Sequence, residues 1–193
     1  MRILAFFILF ATIFTFGCGE DMEEKMEMEE EMVVETPLQK AQAAMTRVND
    51  RRTEEYQKAE EADDFSVLFI VAQKIFQEEL GFGAETWQEL LDTWEDAHDE
   101  RVQGLFADGK EDESKAETQS YMDFLSFYFP KFDFENMTGG EFFFEYMSAY
   151  DEIVTEYLRL SYEFPDATQE RLLALLKEAI VDGKVSIQYP EGL

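Results

Sequence analysis

The chain has one cysteine, one histidine, and 16 lysines and arginines against 44 aspartates and glutamates. Each shortage excludes a class of function. Once Cys18 is set aside no thiol remains, so the rest of the chain can form no disulfide, thiolate nucleophile or zinc–thiolate site. Glu95-Asp96-Ala97-His98 spells the Glu-x-x-His of di-iron bundles, but those centres need a second such motif on another helix. With His98 the sole histidine, that site cannot exist. Serine–histidine or cysteine–histidine catalysis would have to run through His98 alone, and there is no Gly-x-Ser-x-Gly elbow. A glycine-rich phosphate loop is missing too. An EF-hand begun at Asp108 fails, because it puts Glu113 where glycine is needed and Gln119 where glutamate is needed. Carboxylates are so common that no single pair points to glycoside hydrolysis. Few bases and a formal charge of −28 leave a body that repels nucleic acid phosphates and anionic lipid head groups. The expectation is a protein without catalytic residues, cofactor or dedicated metal site, and with no nucleic acid partner.

Long apolar runs are scarce as well. The one that stands out is "ILAFFILFATIFTFG", residues 3–17, preceded by Met1-Arg2. It is short for a membrane-spanning helix, which needs about 20 residues. One positive charge, an apolar core and a small residue at the end are the parts of a secretory signal. Cys18 stands directly after Gly17. This arrangement resembles the lipobox of bacterial lipoproteins, with Thr15 and Phe16 where an aliphatic and then a small residue are commoner. The resemblance covers residues 1–18 only. It implies removal of residues 1–17, lipidation of Cys18 with palmitate-type chains, and attachment to the cell envelope. That means the outer membrane or the outer face of the cytoplasmic membrane. The alternative is an ordinary secretory signal or anchor with a stray cysteine.

Residues 18–35 read as an acidic, methionine-rich tether. Glu20 to Glu35 holds nine acids and one base, Lys25, with Met22, Met26, Met28 and Met32. Thioethers favour Cu(I). In a helix, however, Met22 and Met26 would share one face while Met28 and Met32 would share another. A self-repelling spacer reaching roughly 60 to 65 Å fits the composition better.

What the chain does have is helix punctuation. Side chains able to cap free N–H groups mark six starts: Thr36 with Gln39, Asp64, Thr86 with Glu89, Ser114 with Glu117, Thr138 with Glu141, and Asp166 with Gln169. Stops fall at Gly81, at residues 107–110, at Pro130 and at residues 181–184. Apolar residues recur at three- and four-residue steps along Trp87–Leu105, Phe143–Tyr157 and Leu172–Ile180. Alternate starts, 36, 86 and 138 and likewise 64, 114 and 166, step by 50 and then 52 residues. The spacing predicts an all-α domain over 36–184, a six-helix bundle or short array of three helical hairpins, with a C-terminal tail at 185–193.

Three features compete for a functional role. His98 lies on an apolar stripe and is expected to be a satisfied core residue. Tyr121, Phe124, Phe127, Tyr128, Phe129, Phe132, Phe134 and Phe142–Phe144 could form a groove, though core packing is the better account. Glu85, Glu89, Asp92, Asp96 and Asp99 make a like-charge ladder on the third helix, where repulsion destabilises. Salt, divalent cations, the arginines of the first helix or a basic partner must offset it. The expected function is a non-catalytic interaction or scaffold module, anchored to the membrane, whose partner is a basic or helical protein. A cation- or small-ligand-binding lipoprotein is the alternative, and a cell-wall hydrolase comes third.

Overall fold

Thr36 starts the first helix as its sequence implies. Its side chain accepts from the Gln39 N–H, Gln39 returns the bond to the Thr36 N–H, and Pro37 occupies the first turn. A computed structural model describes residues 35–133 and 139–189; Cys18, the tether, Phe134 and the Thr138 cap lie outside the described residues. Within them the protein is all-α, 79% helical, with seven helices and no strand. The helices are α1 Pro37–Ala62, α2 Leu68–Leu80, α3 Ala84–Ala107, α4 Glu111–Tyr128, α5 Gly140–Ser148, α6 Asp151–Glu163 and α7 Gln169–Val181. A short 3-10 turn, Phe129–Lys131, follows α4 where Pro130 ends it.

Seven rather than six helices are present because the expected fifth one breaks at Ala149–Tyr150. The C-terminal segment meets it there: the Gln188 N–H donates to the Ala149 carbonyl at 2.8 Å. Val185 and Ile187 are buried in the same core, so residues 185–189 are a docked strap and not a free tail.

The stops agree with expectation, and of the starts described after Thr36 none falls on its expected cap. Gly81, Gly109 and Gly183 all lie at positive φ, a region that side chains enter only at a cost. By contrast, α2 begins four residues after Asp64, whose carboxylate instead closes a turn by accepting from the Ser66 N–H and hydroxyl. Thr86 falls inside α3. Ser114 falls inside α4, where its hydroxyl is buried and donates to the Val102 carbonyl. At the last start the cap is Thr168, not Asp166.

Sequential pairs α1/α2, α3/α4 and α6/α7 pack as hairpins, yet the largest interfaces are α1 with α6 and α3 with α7. The last hairpin therefore lies between the first two. Helix α5 touches both α2 and α4, so the neighbours close into a bundle. Gly140 permits that closure: a Cβ there would lie 2.2 Å from the Phe65 carbonyl oxygen. The core is built on Val48, Leu68, Ile75, Leu90, Trp94, Phe124, Tyr128, Ile153, Val154 and Leu176. Fully burying each aliphatic or Phe side chain contributes about 1.5–3 kcal/mol.

Candidate functional site

The aromatic cluster is mainly structural. Phe124, Tyr128 and Phe144 are buried, and Tyr121, Phe127, Phe132, Phe142 and Phe143 pack partly buried against the core. Burial pushes the Tyr128 phenol up to about 12. Lys131 caps the cluster, its Nζ 3.2 Å from the Phe127 ring centre and 4.3 Å from that of Phe142. Phe129 remains exposed.

The acidic ladder lies along α3, with Glu85, Asp92, Asp96 and Asp99 exposed and Glu89 half-buried. Gln88 donates to Asp92 at 2.7 Å and Gln169 donates to Glu89. The arginines of α1 do not relieve the ladder, because they are engaged elsewhere. Arg47 and Arg51 pair with Glu78 and Glu79 of α2. Arg52, buried, pairs with Asp151 of α6 at 2.6 Å. Lys177 borders the same α3/α7 groove as Glu89, Asp92 and Asp96, but its ion pair is with Glu100. Among the described residues no lysine or arginine makes an ion pair with any of the five acids. Nor do three acids or histidines converge there as a metal site would require.

His98 departs from expectation. It is buried, as a core residue should be, but it is not satisfied. Neither ring nitrogen has a hydrogen-bond partner, and the nearest carboxylate oxygen, of Asp99, is 4.0 Å from Nδ1. Its ring stacks on Trp94, with centroids 4.9 Å apart, and meets Tyr121 at 5.0 Å. Tyr121 itself donates to Glu95 at 3.0 Å, so it is already committed. Burial pushes the imidazole below its ordinary pKa; Glu117 and Asp99 oppose this, and Arg101 adds to it. The ring is therefore neutral at pH 7, with one donor and one acceptor nitrogen.

Beside this ring is a cavity of about 170 Å³. Helix α3 supplies Trp94, His98 and Arg101, α4 supplies Glu117, α7 supplies Ile180, the turn after α7 supplies Gly183, and the strap supplies Val185, Ser186 and Tyr189. Trp94, His98 and Ile180 form the buried end, while Ser186 and Tyr189 are exposed at the mouth. The Arg101 Nε donates to both Glu117 oxygens, at 2.9 and 3.2 Å, and Nη1 donates to the Val181 carbonyl at 3.3 Å. Gly183 makes room for this guanidinium, since a Cβ there would come within 2.4 Å of Nη1. Burial and Glu117 push the Tyr189 phenol up to about 12. A second cavity of about 160 Å³ lies at the α2–α3 turn, beside Phe76, Phe82 and Trp87. It contains no ionisable side chain.

Local sequence could not reveal the His98 cavity. His98 and Glu117 sit on adjacent helices, but the wall at 183–189 comes from the far end of the chain. No family model, curated protein or solved structure matches this chain.

Proposed function

We propose that this protein is an extracytoplasmic lipoprotein, held at the bacterial envelope through an acylated Cys18, that acts as a non-catalytic interaction module for a basic protein partner. Residues 1–17 serve as the signal, residues 18–35 as the tether, and the helical body carries the α3 acids. The observation that carries the reading is the unrelieved ladder: five acids on one helix face with, among the described residues, no lysine or arginine paired to them. A basic surface docking there would remove the repulsion and be steered in by the field of the net negative charge, −28 over the full chain. The test is titration with a lysine-rich peptide. Saturable binding should weaken at least tenfold on Asp92→Asn with Asp96→Asn, and stay unchanged on Glu54→Gln with Glu61→Gln on α1. Equal losses from both pairs would reduce the effect to net charge and end the proposal. Membrane release by Cys18→Ser tests the anchor separately.

Small-ligand binding is the second reading, favoured by the cavity at His98. Its lining combines an uncommitted imidazole with aromatic and aliphatic walls, as binding pockets do.

A further inference from the structure

We infer that the cavity at the α2–α3 turn receives an aromatic side chain of the basic partner, so that the docking segment is a phenylalanine-like anchor beside lysines or arginines. The inference rests on the basic-partner reading and names what that partner carries besides charge. Continuity is the first support. Gln88 belongs to both features: its side chain lines the cavity and donates to Asp92 of the ladder at 2.7 Å. Ala84 and Gln88, exposed at the rim, are followed directly in the chain by Glu85 and Glu89 of the ladder. A segment laid along the start of α3 therefore meets the cavity and the acids together.

Chemistry supplies the second. Phe76, Phe82 and Met147 are buried lining residues, while Trp87 and Phe143 are half-buried and keep accessible surface. Rings and a thioether suit another ring, through offset or edge packing and sulfur contact. No ionisable side chain lines the cavity, so a charged group placed there would be buried unpaired. A phenyl ring has no hydrogen bond to lose. Size is third: the volume is about 160 Å³, and a dry cavity of about 150 Å³ accepts benzene. Charge is fourth. The ladder repels an acidic segment and draws a basic one, whose cations stay outside over the α3 acids. Aromatic anchors seated in pockets carry most of the energy of an interface, whereas exposed charges at its rim mainly set the rate and the choice of partner.

The experiment titrates the full chain with three acetylated, amidated peptides: one phenylalanine with four lysines, one alanine with four lysines, and one phenylalanine with four serines. The phenylalanine–lysine peptide is expected to bind at least tenfold more tightly than either of the others. Ala84→Trp, a change at an exposed rim position, places a bulky ring at the mouth. It should reduce the advantage of phenylalanine over alanine to under about threefold and leave the alanine–lysine peptide unchanged. Asp92→Asn with Asp96→Asn should weaken both lysine peptides. Equal binding of the two lysine peptides, with both lost on the aspartate changes, overturns the anchor and leaves the basic-partner reading standing. An advantage for phenylalanine that survives Ala84→Trp shows the ring seated elsewhere and overturns the inference. A phenylalanine–serine peptide as tight as the phenylalanine–lysine one separates the cavity from the ladder and overturns it too. No saturable binding of either lysine peptide ends both readings.

Discussion

Two basic side chains are buried in this bundle, and their surroundings are opposite. Arg52 on α1 is 5% exposed and holds Asp151 of α6, with Asn49 as a second acceptor. His98 on α3 is 7% exposed and holds nothing. The difference follows from acid–base chemistry. A guanidinium stays charged at any pH a protein meets, so burying it requires a counter-ion. An imidazole can give up its proton when desolvated, so it can be buried without one. Arg52 is thereby fixed as structure: it ties α1 to the first turn of α6, where an acid also suits the helix dipole. His98 is left with unused hydrogen-bonding capacity at the edge of a cavity.

Removing the counter-ion should break the first half of this comparison most visibly. Asp151→Asn leaves the Arg52 charge buried and is expected to cost about 3–5 kcal/mol in urea denaturation. A loss under about 1 kcal/mol would mean that the guanidinium reaches water. The second half predicts the opposite sign. His98→Phe keeps a flat ring beside Trp94 and deletes two unpaired polar atoms, so it should stabilise the protein by about 1–2 kcal/mol at pH 7. Destabilisation of that size would show that the nitrogens have partners in solution.

The smallest effect is a slope with pH. Unfolded, His98 protonates near its ordinary value of about 6.5. Folded, its pKa is lower, because burial outweighs Glu117 and Asp99, while Arg101 on its own helix pushes the same way. The unfolded state thus binds more protons below about pH 6.5. The stability held by the neutral ring is complete above that pH and declines as pH falls. Comparing wild type with His98→Phe between pH 5 and 7 isolates this slope, which is at most about 1.4 kcal/mol per pH unit. Parallel curves would place the folded pKa at its ordinary value.

The sequence was legible where sterics decide and opaque where weak interactions compete. Gly81, Gly109 and Gly183 end helices because little else tolerates their φ. Asp64, Thr86 and Ser114 looked like starts, yet a cap contributes only about 1 kcal/mol, and tertiary packing overrides it. Ser114 shows the competition directly, turning its hydroxyl to the Val102 carbonyl from inside α4. The all-α class and the burial of His98 were readable from three- and four-residue periodicity. The break at Ala149 was not, since its partner Gln188 is distant in sequence. The same distance hid the cavity, and an acidic ladder visible in sequence did not show that the α1 arginines would turn to α2 and α6.

The docked strap also sets an order of events. A chain made from its N-terminus exposes every helix before residues 185–189 exist. Until they arrive, the Ala149 carbonyl lacks Gln188 and the core lacks Ile187. Domains synthesised vectorially complete their packing only when the last contributing segment is free. For this bundle that segment follows α7 in the chain, so the pocket beside His98 closes only after the helices that line it are present.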